Sequence, residues 1–221
     1  MIPRGVRLWW AATLLLAIAG CRNPFLPGQP APPGVEGETV TVPMDFSSPE
    51  LLFSTLTTAL NVKNKGNGVT AYIAAFADSG TQGVALRVEF DPSVVAEREG
   101  RGIRVPAWQR SYEVDFYKHL STLAEGDYSL SLTRTLTDDT TEPLRQVFNR
   151  EYSLTSTGID GASTTLLASG WAEIEMRYVE APAGQWVITR WTDHLLNPAD
   201  PDPADPGQRC FSRLRFDSYN R

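Results

Sequence analysis

Residues 162–196 read ASTTLLASGWAEIEMRYVEAPAGQWVITRWTDHLL, and the fold follows from how this stretch is parsed. It contains two extended runs, Thr164–Val179 and Gln185–Leu196, joined by Glu180-Ala181-Pro182-Ala183-Gly184. Apolar and polar residues roughly alternate in both runs, and a short connection holding Pro and Gly is a hairpin signal. The first run exceeds the usual strand length of about 5–6 residues, which predicts a strongly bent strand with Gly170 at a bend or bulge. A hairpin of this length needs apolar cover on one face.

The preceding segments supply that cover. Ser48-Pro49-Glu50 is a helix start: a capping hydroxyl, proline at the first helical position, then an acid near the positive end. Leu52, Phe53, Leu56, Ala59 and Leu60 follow at helical spacing, and NKGNG at 64–68 stops the helix. A second short helix spans Val69–Ala77, with Tyr72, Ile73 and Phe76 on one side. Val84–Asp91 alternates as a strand, REGRGIR at 98–104 reads as a solvated loop, and Ala107–Ala124 forms a third helix. Trp108, Tyr112, Phe116, Leu120 and Leu123 make its apolar stripe, and Glu113, Asp115 and Lys118 are expected to lie largely away from it. Tyr128–Leu136 and Leu144–Thr155 complete the strands. NPADPDPADPG at 197–207 suits neither a central strand nor a helix, and Cys210–Phe216 reads as a short alternating segment docked back on the domain.

The front of the chain is different. Arg4 and Arg7, an apolar run over Leu8–Ala19 and then small residues have the order of an export signal, and the run is too short to span a bilayer. Ile18-Ala19-Gly20-Cys21 resembles the bacterial lipobox, which implies a diacylglycerylated Cys21 at the new N-terminus. Buried acyl carbons contribute about 0.8 kcal/mol each, so more than one chain makes a stable anchor. Arg22 follows where inner-membrane retention would call for Asp, which implies the periplasmic face of the outer membrane. Five prolines and several glycines within 22–40 make a tether. The predicted organisation is a signal peptide over 1–20, a lipidated tether over 21–45, one domain over 46–196 and a linker with a docking segment over 197–221.

Net charge is −6, without the clustered basic residues that phosphate contacts need, so nucleic acid is not an expected partner. The spacing shows no HExxH, no Cys/His pair, no GxSxG elbow, no phosphate loop and no dinucleotide fingerprint, so no metal or cofactor is assigned.

Three helices followed by one strongly curved antiparallel sheet make an α+β domain. Ser48–Leu52, the Tyr72–Phe90 unit, the Trp108–Leu123 helix and Gly184-Gln185-Trp186-Val187-Ile188 resemble the nuclear transport factor 2-like superfamily over about residues 46–196. The resemblance implies a cone whose sheet and helices enclose a pocket. Some relatives are ketosteroid isomerases, scytalone dehydratases or polyketide cyclases, and many others only bind or dimerise. The expected pocket lining is Tyr72, Trp108, Tyr112, Phe116, Tyr152 and Trp186. Tyr72, Asp78, Tyr112, Asp115, His119, Tyr152, Arg190 and Asp193 are the candidate polar groups. None aligns with the isomerase Tyr/Asp or the dehydratase His/Asp arrangement, and that weighs against catalysis. The reading favoured by the residues is a lipid-anchored envelope module that binds a small apolar ligand without catalysis; the alternative is an isomerase- or dehydratase-type enzyme with an acid–base pair. The two differ in whether ionisable groups converge inside the domain.

Trp186 and Trp191 have opposite parity on the last strand. Trp186 is assigned to the core and Trp191 to an interface, with a homodimer left open. Cys210 is expected to be a buried thiol beside Phe211.

Overall fold

The computed structural model describes residues 40–62, 65–158, 161–180, 182–197 and 209–219. The leader, Cys21, most of the tether and most of the Pro/Asp linker lie outside these residues. The described chain belongs to one compact unit. No helix among the described residues is long and apolar enough to cross a membrane.

The helices are α1 (Pro49–Asn61), α2 (Gly68–Ala74), α3 (Ser79–Gln82), α4 (Pro92–Gly100), α5 (Arg110–Leu120) and α6 (Phe211–Tyr219). The strands are β1 (Arg87–Glu89), β2 (Asp127–Arg134), β3 (Thr140–Glu142), β4 (Arg145–Thr157), β5 (Thr164–Val179) and β6 (Gln185–His194). The sheet order is β1-β6-β5-β4-β2, with β3 paired to β4.

Two parts of the predicted fold class are corrected. The described residues form six helices, not three, because Asp78 caps the short α3, Asp91-Pro92 starts α4 and the C-terminal segment is helical. The sheet is an open layer, neither closed nor curled into a cone, and it is mixed, since β1 runs parallel to β6.

Local chemistry explains the helix starts. The Leu51 N–H donates to the Ser48 side chain and Pro49 occupies the first turn of α1, as the sequence indicates. Asp91 does the same for α4, with Oδ1 accepting from the N–H groups of Ser93 and Val94. Its other oxygen accepts from the Leu195 N–H, and its own N–H donates to Ser212 Oγ. One buried residue, through its carboxylate and its backbone N–H, therefore ties together the start of α4, the end of β6 and the first turn of α6.

The hairpin β5–β6 matches its predicted first strand, but Gly170 is not where it bends. Gly170 pairs in regular register with Tyr152, and the register shifts fall at Leu154/Thr155 and at Glu175/Met176. At the second shift the pairing steps from Glu175↔Arg190 to Met176↔Ile188, which leaves Thr189 as the extra residue on β6. One extra residue reverses side-chain parity along the strand. Trp186 and Ile188 before the bulge, and Trp191, Asp193 and Leu195 after it, consequently all join the buried interior. This overturns the interface assignment of Trp191, which is 2% exposed. Trp171, on the opposite face, is half-buried and stacks on the His194 ring at 3.8 Å.

That opposite face is polar. Glu175 accepts from Arg145 and Arg177, and Thr189 donates to it as well. Burial alone raises its carboxyl pKa, but the hydrogen bonds and charges of Arg145 and Arg177 outweigh burial and hold it at about 2.

Candidate functional site

α6 lies between the inner face of the sheet and α5, and the site is built around it. Phe211 stacks on the ring of Tyr152 from β4 at 4.3 Å and meets Phe116 of α5 edge-on at 5.6 Å. Phe211, Leu214 and Phe216 are all buried, and so are Arg213 and Arg215. The expected alternation of buried and exposed residues in this segment does not hold, because a helix enclosed on several sides buries both kinds.

Charged groups converge here in two clusters. In the first, Glu113 of α5 is fully buried. Its Oε1 accepts from Trp108 Nε1 at 2.7 Å and from Arg215 Nε at 2.8 Å, and its Oε2 accepts from the Tyr72 hydroxyl at 2.7 Å. In the second, the Tyr152 hydroxyl donates to Asp193 Oδ1 at 2.6 Å and accepts from the Phe211 N–H at 2.7 Å. The Ser212 N–H donates to Asp193 Oδ2. The backbone of the first turn of α6 thus meets one acid and its tyrosine, and the Arg215 side chain meets the other acid.

The electrostatics follow from burial. Burial pushes the Asp193 carboxyl above its ordinary value, although the Arg215 charge and the bonds from Tyr152 and Ser212 pull the other way. Burial, the neighbouring acids and hydrogen bonding raise both Tyr72 and Tyr152 well above the usual phenol range. Burial works against the charge on Arg215, yet the Glu113 and Asp193 carboxylates outweigh it and keep the guanidinium protonated. That cation also lies over the Phe116 ring, 4.7 Å from its centroid, and 5.4 Å from that of Trp191.

Four residues of the predicted lining are gathered here: Tyr72, Trp108, Phe116 and Tyr152. Tyr112 is half-buried at the rim, where Tyr219 meets it edge-on at 5.2 Å. Beside this contact runs a groove of about 410 Å³ lined by Trp108, Tyr112, Asp115, Lys118, Ser218 and Tyr219. Trp186 is buried elsewhere, edge-on to Tyr178. Among the polar candidates only Tyr72, Tyr152 and Asp193 reach the interior clusters. Asp78 pairs with Arg110 and caps α3, Asp115 lines the groove, and Arg190 bonds Glu173 on the opposite face. His119 is buried on α5. No group of three or more metal-ligating side chains stands together among the described residues.

Glu113 and Arg215 are the functional residues that pattern reasoning missed. The signal was present for Glu113, since positions 113, 116, 117 and 120 keep the i, i+3, i+4, i+7 spacing of one helix face. An acid on that face, five residues after Trp108, is a buried acid with an indole donor.

No protein-family model and no curated protein matches the sequence. Among solved structures, the chain is similar to a function unknown protein from Mycobacterium tuberculosis at 13% identity and a TM-score of 0.49, covering 78% of this chain and 92% of that one. It is also similar to a candidate scytalone dehydratase from Novosphingobium aromaticivorans, at 12% identity and a TM-score of 0.44 over 65% and 78%. A third is a candidate dehydratase of the nuclear transport factor 2-like family from Streptomyces avermitilis, at 12% identity and a TM-score of 0.44 over 67% and 94%. The inclination against catalysis is corrected, because ionisable groups do converge inside the domain, at Asp193 with Tyr152 and at Glu113 with Arg215.

Proposed function

We propose that the chain is a pocket enzyme of the isomerase or dehydratase type, acting on a small, largely apolar carbonyl compound. The observation that carries this reading is the pairing of Asp193 with the Tyr152 hydroxyl at 2.6 Å inside an apolar, aromatic interior. Both reactions begin by removing a proton α to a carbonyl. Asp193 takes that proton: burial raises its pKa and so strengthens it as a base. As the C–H bond breaks, the electron pair moves to the carbonyl oxygen, and the Tyr152 hydroxyl donates to the developing oxyanion. In isomerisation Asp193 returns the proton to the γ-carbon, and in dehydration it protonates a departing β-hydroxyl, which leaves as water. Glu113, held by Tyr72 and Trp108, orients the far end of the substrate.

Solvent deuterium incorporation into a cyclic β,γ-unsaturated ketone, followed by mass spectrometry, tests this. The parent chain is expected to incorporate deuterium, and Asp193→Asn to do so about 10²–10⁴-fold more slowly, the usual contribution of a positioned acid–base group. Equal rates in the two would remove Asp193 from the chemistry.

The same reading places the enzyme on the cell envelope, tethered through Cys21. Its support is the Ile18-Ala19-Gly20-Cys21 sequence behind an export-type leader. Cys21→Ser is expected to move the chain from the membrane fraction, measured by fractionation and immunoblotting; unchanged membrane association would contradict the anchor.

A further inference from the structure

α6 occupies the space the proposed chemistry requires. Three ion pairs hold it: Arg215–Glu113 within, and Arg213–Glu97 and Arg98–Asp217 towards α4. Its fit is incomplete. Arg215 Nη1 and Trp191 Nε1 are buried and have no hydrogen-bond partner among the described residues. They belong to side chains in contact, with the guanidinium over the Trp191 ring. A buried donor left unpaired is costly, and two together mark a place where an oxygen acceptor is wanted. A helix of nine residues has little stability of its own, so tertiary contacts keep α6 formed.

We infer that α6 is a displaceable, autoinhibitory occupant of the acid-lined interior, and that it leaves to admit a ligand bringing an oxygen acceptor to Trp191 Nε1. Its place would be taken by an apolar body stacked where Phe211 now meets Tyr152. The inference rests on the catalytic reading for the identity of the site, and adds its regulation. The groove beside Tyr219 marks the end at which α6 meets solvent, since Tyr219 is 43% exposed there.

Cys210 reports on this opening without any turnover. It precedes α6, is fully buried, and burial pushes its thiol pKa far up, so it is unreactive while α6 is docked. The full mature chain is exposed to iodoacetamide across a denaturant series, and alkylation at Cys210 is followed by peptide mass spectrometry. Labelling is expected at least tenfold faster than global unfolding, with weak denaturant dependence, as for a sub-global opening. Combining Glu97→Gln with Asp217→Asn removes the two outer ion pairs and should speed labelling by about three- to thirty-fold while leaving the global midpoint unchanged. Labelling that follows global unfolding in both chains would show α6 to be integral core and overturn the inference. Because no substrate enters the experiment, α6 release can be established or refuted whether or not the catalytic reading stands.

Discussion

Arg215→Met is expected to open α6 about 10²–10³-fold more often than in the parent, read as Cys210 alkylation with β4 and β5 still folded. The side chain is 1% exposed and is the guanidinium bonded to Glu113 and acting on Asp193. Removing one partner of a buried ion pair costs about 3–5 kcal/mol, because the other charge is left without compensation. The cost falls on docking, since undocking α6 returns Glu113 and Asp193 to water. Adding Glu113→Gln should recover much of the loss: the amide oxygen can accept from Trp108, its NH2 can donate to the Tyr72 hydroxyl, and it carries no charge. The Arg215→Met chain should also recover as pH falls. Once the cation is gone, burial raises the Asp193 carboxyl with less to oppose it, so docking gains as pH falls and Asp193 takes up its proton. Labelling at the parent rate would mean that the polar clusters do not hold α6.

Gly170→Ala should destabilise the fold by about 3 kcal/mol or more, combining overpacking with a broken buried hydrogen bond. A Cβ at Gly170 would stand 2.4 Å from the Tyr152 hydroxyl oxygen, 2.7 Å from its Cζ and 2.7 Å from the His194 carbonyl oxygen. The ring has nowhere to go without leaving Asp193 and Phe211. Gly100→Ala is the control, because a Cβ there meets nothing within 4 Å and its φ is not positive. That change should stay within about 0.5 kcal/mol, or stabilise slightly through backbone entropy. Urea denaturation midpoints measure both, and equal midpoints would contradict the close approach of Tyr152.

Gly170 also shows what pattern reading could and could not extract. Its presence in a long strand pointed to something unusual, but alternation cannot separate a bend from a cross-strand ring that requires an absent side chain. α1 was legible because Ser48 and Pro49 act locally, within one turn of the residues they cap. α4 carried an equally local signal in Asp91-Pro92, but the glycines and charges of 98–104 drew attention to a loop. Trp191 was misplaced because parity arguments assume an unbroken ladder, and Thr189 breaks it. Docking of the C-terminal segment was legible from Phe211 and Leu214. The Arg215–Glu113 pair was not, since it joins residues 102 positions apart and depends on tertiary geometry.

The proposed chemistry depends on an acid–base pair that α6 covers. Its most direct test is solvent deuterium incorporation into a cyclic β,γ-unsaturated ketone by the chain carrying Glu97→Gln and Asp217→Asn. Incorporation is expected to be faster than in the parent, and to fall about 10²–10⁴-fold when Asp193→Asn is added. Incorporation that is the same with and without Asp193→Asn, or no faster than the parent's when α6 is shown to open, would contradict it.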